Sequence, residues 1–217
     1  MDLPRGLVLY GPDQRVERIY FINRGVVSRV QEMRDGRAVE VGAMGIEGIT
    51  TPEALLDLPN AIFTSIVRIP GSAWVLDRRS VQRAMEKHRA LTALIHGYFH
   101  VSVRQIGQTA ACNRLHSLEQ RYCRWLLTAN DSACSDTFPL THELTAMMLG
   151  APRSGVSIVS EMLRKAGYIA YTRGKVTITN RTGLEAAACE CYAVIREEFD
   201  HLFVRKNTLT AINDQFV

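Results

Sequence analysis

The segment from Thr141 to Glu161 constrains the fold most, because small, turn and apolar residues recur there at fixed spacings. Ala146 stands four positions before Gly150, and Pro152 follows shortly after. Two short helices that cross closely need a small residue at the crossing, a glycine in the turn and an apolar inner face on the second helix. The pattern therefore predicts a helix-turn-helix, with Pro152 opening the second helix, where its missing N–H costs nothing. The predicted inner face consists of Val156, Val159 and Leu163.

The outer face of the predicted second helix carries Arg153, Ser154 and Ser157 near its start. In a DNA-binding helix-turn-helix, this end of the second helix reaches base edges in the major groove. An arginine there can bind O6 and N7 of guanine together, whereas serines are less selective and suit phosphates. Thr141 and His142 open the first helix and are candidates for backbone phosphates, which set register. Each serine could equally be a helix cap or a solvated residue.

The sequence after this motif predicts a β-wing. Ala170 and Tyr171 form a strand, residues 172–175 a basic turn, and Val176 to Thr179 a return strand. Arg173 and Lys175 lie in this turn, so they are candidates for phosphates that flank the recognition helix.

Charge is distributed unevenly along the chain. The net charge is only +4, yet residues 139–181 carry six basic residues against two acidic ones. Residues 182–217 reverse this balance, with three basic and six acidic residues. Because counterion release from phosphates requires a local positive excess, the charge pattern supports double-stranded DNA as the partner.

The N-terminal part reads as many short strands separated by turns. Asp35-Gly36 between two alternating runs predicts a hairpin, since both central residues of a type I′ turn need positive φ. Residues 62–69 and 73–76 are predicted as two strands separated by Pro70-Gly71. Short strands at this spacing favour a sandwich or jelly roll.

Helical patterning begins after Asp77. Apolar residues at helical spacing predict a long central helix, and its dimer contacts are predicted at Leu91, Leu94, Ile95 and Tyr98. Packing within one chain is the alternative. A break is expected near residues 113–117, where Ser117 can cap a new helix. The predicted units are a β-domain at 1–77, the central helix region at 78–116, a winged helix at 117–192 and a helical tail at 193–217.

Several function classes lack their sequence signatures. All five cysteines follow residue 111, no CxxC pair occurs, and Cys189-x-Cys191 is closer than the usual zinc pair, so reduced thiols and no metal are expected. No nucleophile–base set, P-loop or HExxH motif suggests an enzyme or a catalytic residue. The chain also lacks a signal peptide and an apolar run of about 18 residues, which predicts a cytoplasmic protein without membrane contact.

Together these features resemble the Crp/Fnr family of bacterial transcription regulators over nearly the whole length. The similar stretches are Phe21-Ile22-Asn23-Arg24-Gly25-Val26-Val27-Ser28, Asn113-Arg114-Leu115-His116-Ser117-Leu118-Glu119-Gln120-Arg121, Leu149-Gly150-Ala151-Pro152-Arg153-Ser154-Gly155-Val156 and Gly183-Leu184-Glu185 through Cys191-Tyr192. The resemblance implies an α+β chain: an N-terminal cyclic-nucleotide-binding-like β jelly roll, a long central dimerisation helix and a C-terminal winged helix-turn-helix. It also implies a homodimer on a palindromic operator, with RNA polymerase as a further candidate partner.

The chain departs from this family at its effector site. Cyclic-nucleotide binders carry glycine-glutamate after one strand and later an arginine followed by serine or threonine. Here Gly45 and Glu47 retain part of the first half, but Phe63 precedes Thr64 where the arginine is expected. Without that cation the cyclic phosphate loses a charge-assisted bond pair, so cyclic AMP is not the expected effector.

Other cofactors and the operator are also expected to differ. Iron–sulfur members use N-terminal cysteines, which are absent before Cys112, and haem would need an axial histidine or cysteine in the sensory half. No cofactor is therefore expected, and the effector is undefined. The chain begins closer to its first strand than family members do. Ser154 and Ile158 stand where cyclic-AMP-binding members have glutamate and arginine, which predicts a different operator.

The sequence therefore predicts a homodimeric, sequence-specific DNA-binding regulator with a degenerate sensory domain. In this hypothesis a signal in the β-domain reorients the central helices and sets the distance between recognition helices. The alternative is a small-ligand-binding or protein-interaction module whose winged helix does not read DNA.

Overall fold

The computed structural model describes residues 1–46 and 48–213, with side chains described through residue 203. The fold is α+β, with an N-terminal antiparallel sheet, a central helical segment and a C-terminal winged helix. The strands are β1 (Asp2–Leu3), β2 (Val8–Tyr10), β3 (Arg18–Glu32), β4 (Ala38–Met44), β5 (Thr64–Asp77), β6 (Thr137–Pro139), β7 (Ile169–Thr172) and β8 (Lys175–Ile178). The helices are α1 (Arg78–Lys87), α2 (Arg89–Leu115), α3 (Leu118–Ala133), α4 (His142–Leu149), α5 (Arg153–Lys165), α6 (Arg181–Ala187) and α7 (Cys191–Asn213).

Two long strands organise the β-domain, where the sequence predicted several short ones. The runs predicted on either side of Pro70-Gly71 form the single strand β5, and β3 likewise continues through Asn23-Arg24-Gly25, a stretch typical of a turn. The turn residues bend these strands instead of ending them: Gly25 has φ +95°, and the β3–β5 register shifts around it. A Cβ on Gly71 would stand 1.8 Å from the carbonyl oxygen of Arg24. The backbones of β3 and β5 can therefore approach this closely only because position 71 has no side chain.

The sheet has the order β1–β5–β3–β4, with β2 also pairing with β5. The predicted hairpin is present between β3 and β4, and Gly36 at its tip has φ +83°. One face buries an apolar core against α1 and α2. The central members of this core are Val16, Ile19, Val27, Met44, Val67 and Ile95.

The central helical segment is divided at His88, which ends α1 and precedes α2. The C-terminal helix α7 runs back along α2 in antiparallel fashion. Arg104 of α2 forms a salt bridge with Glu198 of α7 at 3.0 Å. Further along, Leu202 fills the space that a side chain at Gly97 would need. Helix α7 therefore covers one side of α2.

Ser117 caps helix α3, as predicted. The Ser117 hydroxyl accepts a hydrogen bond from the Gln120 amide, and the Gln120 side chain accepts one from the Ser117 amide, which forms a capping box. Helices α3 to α6 enclose a second core with the three-stranded sheet β6–β8–β7. Its largest fully buried side chains include Tyr122, Leu126, Phe138, Leu149 and Leu163.

The β-domain and the winged helix meet through apolar side chains, since Val26, Ala43 and Ile69 belong to the second core, and through one buried polar contact. Glu40 on β4 is buried and accepts hydrogen bonds from the Ser28 hydroxyl and from the Trp125 indole N–H of α3, the latter at 2.9 Å. Burial raises the pKa of Glu40, although these hydrogen bonds and the charges of Arg124 and Arg68 oppose the shift. No helix in the described residues has the length and apolar character of a membrane span.

Candidate nucleic-acid interface

Helices α4 and α5 form the predicted helix-turn-helix. Gly150 ends α4 in the left-handed conformation, at φ 56°, and its N–H donates to the Met147 carbonyl. Val156, Val159 and Leu163 of α5 are buried, as the apolar spacing predicted. The helical pair therefore turns its inner face to the core and leaves the opposite face of α5 to solvent.

The start of α5 presents several exposed donors. Arg153 and Ser154 are exposed, and Ser157 is partly buried one turn later. Pro152 occupies the N-cap position and offers no side-chain cap to the first turn. The amides of this turn lack helical partners, and the helix dipole favours an anion near them. This end can receive a phosphate, with the exposed Arg153 beside it.

His142 joins the first helix, the recognition helix and the wing. Its Nδ1 lies 3.0 Å from the Ser157 hydroxyl, and its ring packs edge-on against Tyr171, with centroids 5.0 Å apart. Burial lowers the pKa of His142, and the Arg153 charge lowers it further, so the ring is neutral near pH 7. The Thr141 hydroxyl caps α4 by accepting from the Leu144 amide. Both residues thus have structural roles beside the predicted phosphate contacts.

The wing forms as predicted from β7 and β8. Its turn has Arg173 at φ 48° and Gly174 at φ 76°, which matches a type I′ hairpin. Lys175 opens β8 next to this turn, and both cations are exposed.

Ion pairing separates the basic residues of the winged helix into two groups. Arg164 pairs with Glu161 at 2.7 Å, and Arg181 pairs with Asp131 at 2.7 Å. By contrast, three exposed cations of the winged helix form no salt bridge in the described part of the chain: Arg153, Arg173 and Lys175. These three are the cations predicted from sequence to contact DNA.

The described members of the predicted effector site, Gly45, Phe63 and Thr64, do not lie together. β3 lies between β4 and β5, and Met44 of β4 is opposite Val27, whereas Thr64 of β5 is opposite Val30. The Thr64 hydroxyl donates to Glu32 at 2.7 Å, and the preceding Phe63 is partly buried. Gly45 follows β4, on the side of β3 away from Thr64, and its carbonyl accepts a hydrogen bond from the Gly48 amide. Glu47 lies outside the described residues.

A cavity of about 240 Å³ lies beside Gly48 instead. Its lining is mainly apolar and comes from β3, the turn after β4, α2 and Phe203 of α7. The lining residues include Ile22, Ile46, Leu94, Ile95 and Tyr98. This cavity suits an apolar group better than a cyclic phosphate.

The predicted dimer residues face mainly inward. Ile95 and Tyr98 are buried in the β-domain core, Leu91 packs against that core, and Leu94 is partly exposed. A different stripe of α2 is partly or fully exposed and repeats at alternating steps of four and three residues. It consists of Thr92, His96, Phe99, Val103, Ile106, Ala110 and Asn113.

The structure also brings together four thiol and imidazole groups that the sequence left apart. Cys112 and its neighbour one turn later, the C-cap residue His116, stand at the end of α2, while Cys189 lies just before α7 and Cys191 begins it. The i, i+4 spacing of the first pair was the available sequence signal, but its partners are distant in the chain.

Comparison with known proteins identifies residues 120–187 as a Crp-like helix-turn-helix domain. FixK2 from Bradyrhizobium japonicum has a similar structure, with a TM-score of 0.73 and 16% identity over 87% of this chain and 96% of that one. A CRP-family transcriptional regulator from Thermus thermophilus gives a TM-score of 0.71 and 21% identity, also over 87% and 96%. The c-di-GMP-responsive regulator CLP from Xanthomonas campestris gives 0.64 and 15%, over 82% and 92%. No curated protein matches the chain by sequence.

The β-domain, the central helix and the helix-turn-helix follow one another in the order seen in these similar structures. The chain carries a Crp-like helix-turn-helix domain within the Crp/Fnr fold, which confirms the family resemblance predicted from its sequence.

Proposed function

We propose that this protein is a homodimeric, sequence-specific DNA-binding transcription regulator that acts in the cytoplasm. The observation that carries the proposal is the selective exposure of Arg153, Arg173 and Lys175. Elsewhere in the winged helix, Arg164 and Arg181 are neutralised by carboxylates. The exposed cations of the winged helix that have no salt bridge therefore stand at the start of the recognition helix and at the tip of the wing, where DNA phosphates and base edges would be met.

The residues divide between reading and positioning. Arg153 is the candidate for a guanine edge, since a good bidentate pair contributes about 1–3 kcal/mol of discrimination. Ser154, the open amides of the first α5 turn and the two wing cations bind phosphates. His142 holds Ser157 and the wing residue Tyr171 in register, and Thr141 keeps its hydroxyl proton available for a phosphate while it caps α4.

The DNA-binding test compares a selected site with a scrambled one. Duplexes enriched from a random pool are titrated with wild type, Arg153→Ala and Arg83→Ala, an exposed control on α1. Affinity of the wild type should fall steeply between 50 and 200 mM salt, by about 10³–10⁵ if six to ten phosphates are contacted. Arg153→Ala should reduce discrimination about 5- to 150-fold. Salt-independent binding, or no enriched sequence, would favour the protein-interaction alternative.

Dimerisation is proposed through the exposed α2 stripe. Its 4–3 spacing is the heptad pattern of a two-helix seam, with Phe99, Val103, Ile106 and Ala110 as the apolar positions. Val103 is 52% exposed in the single chain, so a partner helix would bury an apolar side chain that otherwise contacts solvent. This moves the seam from the face that includes Ile95 and Tyr98 to the neighbouring face of the same helix.

Sedimentation of matched glutamate variants tests the seam. Val103→Glu should shift the protein to a monomer, because the seam would bury two like charges. Ala93→Glu adds the same charge at an exposed position outside the stripe and should leave the dimer intact. A dimer that survives Val103→Glu contradicts this seam.

The effector site is proposed to be degenerate with respect to cyclic AMP, and neither haem nor an iron–sulfur cluster is expected. The support is Phe63 in place of an arginine and the Thr64–Glu32 hydrogen bond, which puts a carboxylate where a phosphate would need cations. Saturating cyclic AMP should therefore leave the melting temperature unchanged, whereas a clear rise would contradict the proposal.

A further inference from the structure

A group of four metal-ligand side chains, here called the Cys3His cluster, lies where α2, α3 and α7 meet. It consists of Cys112, His116, Cys189 and Cys191. Their ligand atoms all lie within 4.8 Å of one another. The three cysteines are buried and form a small separate core with no other apolar member. From this juxtaposition we infer that the Cys3His cluster binds a single thiolate-preferring divalent metal ion of the Zn²⁺ type.

The spacing of the ligand atoms suits one tetrahedral ion. The sulfurs of Cys112 and Cys189 are 3.5 Å apart, as are the Cys191 sulfur and His116 Nδ1. With bonds of about 2.3 Å to sulfur and about 2.0 Å to nitrogen, the ligands of a tetrahedral zinc stand roughly 3.5–3.8 Å apart. An iron–sulfur cluster binds its ligands on different iron atoms and would need them further apart. The geometry thus favours a mononuclear site.

A carboxylate orients the histidine as in known metal sites. His116 Nε2 lies 3.1 Å from a Glu190 carboxylate oxygen, while Nδ1 faces Cys191. Donation from Nε2–H to Glu190 leaves the Nδ1 lone pair for the metal, and such carboxylate–histidine pairs orient most metal-binding imidazoles. The side-chain amide of Gln108 also donates to the Cys191 sulfur, at 3.0 Å. These outer contacts give the histidine and one thiolate fixed directions.

Nearby arginines balance the charge of the occupied site. Zn²⁺ with three thiolates and a neutral imidazole has a net charge of −1, and binding releases the three thiol protons. Arg121 and Arg124 on α3 both interact electrostatically with Cys112. Arg121 also donates to the Leu149 carbonyl at the end of α4, at 2.9 Å. The site therefore lies at the junction between the central helix and the helix-turn-helix.

The usual zinc spacing, with two or more residues between paired cysteines, describes ligand pairs from one segment of the chain. Here each segment supplies two ligands, and the close Cys189-x-Cys191 pair is completed by a helical i, i+4 pair from a distant part of the chain. Folding is needed to assemble the set, which explains why the sequence did not predict it.

The test is metal content and Co²⁺ spectroscopy of the full-length protein. Protein purified from zinc-supplemented cells under reducing, chelator-free conditions should carry about one zinc per chain. After removal of zinc, Co²⁺ should give the strong visible absorption of a tetrahedral thiolate site. Both signals should be lost in Cys191→Ser and retained in Cys134→Ser, whose cysteine is exposed and outside the cluster.

A second variant separates the loss of metal binding from the loss of the fold. Glu190→Gln changes a carboxylate that is 69% exposed, so the fold should persist, while metal affinity should fall about 10- to 100-fold. Absence of both zinc and the Co²⁺ spectrum in the wild type overturns the proposal, as would recovery of Cys112 and Cys189 only as a metal-free disulfide. Equal metal binding by Cys191→Ser and Cys134→Ser would also overturn it. None of these readouts depends on DNA binding.

Discussion

The winged helix and the β-domain differ in whether the structure leaves their predicted site residues accessible and close to one another. In the winged helix, His142 contacts Ser157 and the wing residue Tyr171, and the predicted cations are exposed and form no salt bridge within the described residues. In the β-domain, Gly45 and Thr64 lie on opposite sides of β3, and Thr64 is engaged by Glu32. The two regions therefore differ in accessibility: the predicted DNA-contacting cations are open to solvent, whereas the described effector residues are separated by a strand.

The largest expected effect comes from the winged-helix core. Leu126→Ala removes a fully buried side chain from α3 and should lower the free energy of unfolding by about 2–5 kcal/mol. Chemical denaturation measures this loss. Leu115→Ala is the control, because that leucine is 76% exposed and its loss should change stability by less than about 0.5 kcal/mol. Equal losses in the two variants would mean that α3 is not the centre of this core.

The wing cations should affect affinity without affecting sequence preference. Arg173→Ala combined with Lys175→Ala should weaken binding to selected and scrambled DNA alike. The slope of log affinity against log salt should fall by about 0.9 for each phosphate that the variant no longer neutralises. Fluorescence anisotropy at several salt concentrations measures both quantities. If only the selected site is affected, the wing reads bases and the division of roles is wrong.

The turn between α4 and α5 tests how the two domains touch. Gly150→Ala places a side chain at φ 56°, and its Cβ would stand 3.2 Å from Val39 of β4. The left-handed conformation costs a non-glycine residue about 1–2 kcal/mol, which thermal or chemical unfolding would reveal. Gly107→Ala is the control, since open space surrounds that helical glycine and alanine favours a helix. An equally stable Gly150→Ala protein would contradict the turn geometry.

The smallest expected effect is a pH dependence at the domain contact. Because the pKa of Glu40 is raised in the folded protein, its contribution to stability is present below the unfolded pKa and is lost as pH rises through the folded pKa. Glu40→Gln should remove this loss. The stability of the variant relative to wild type should rise with pH over that window, by at most about 1.4 kcal/mol per pH unit. If the stabilities of wild type and Glu40→Gln change with pH in parallel, the pKa of Glu40 is not raised in the folded protein.

The sequence predicted the regions whose signals are local. Gly150, the apolar positions of α5, the Ser117 cap and the wing turn each depend on neighbours within a few residues, and all are present in the structure. The long strands were not predicted, because Gly25 and Pro70-Gly71 read as turns until β3 and β5 pair across them. Ile95 and Tyr98 face inward because they pack against the β-domain, and the Cys3His cluster forms because α7 returns to the end of α2. Both features depend on contacts between segments that are distant in the chain, which local residue spacing does not encode.

The most direct test of the central claim compares the DNA sequences selected by wild type with those selected by Arg153→Ala. The wild type should enrich a two-fold symmetric site with a guanine at one position of each half-site, because each protomer presents one Arg153 to the groove. The variant should enrich the same site with that guanine relaxed and the other positions kept. An unchanged preference at every position would contradict the assignment of Arg153, and no enriched site for the wild type would contradict DNA reading by the winged helix.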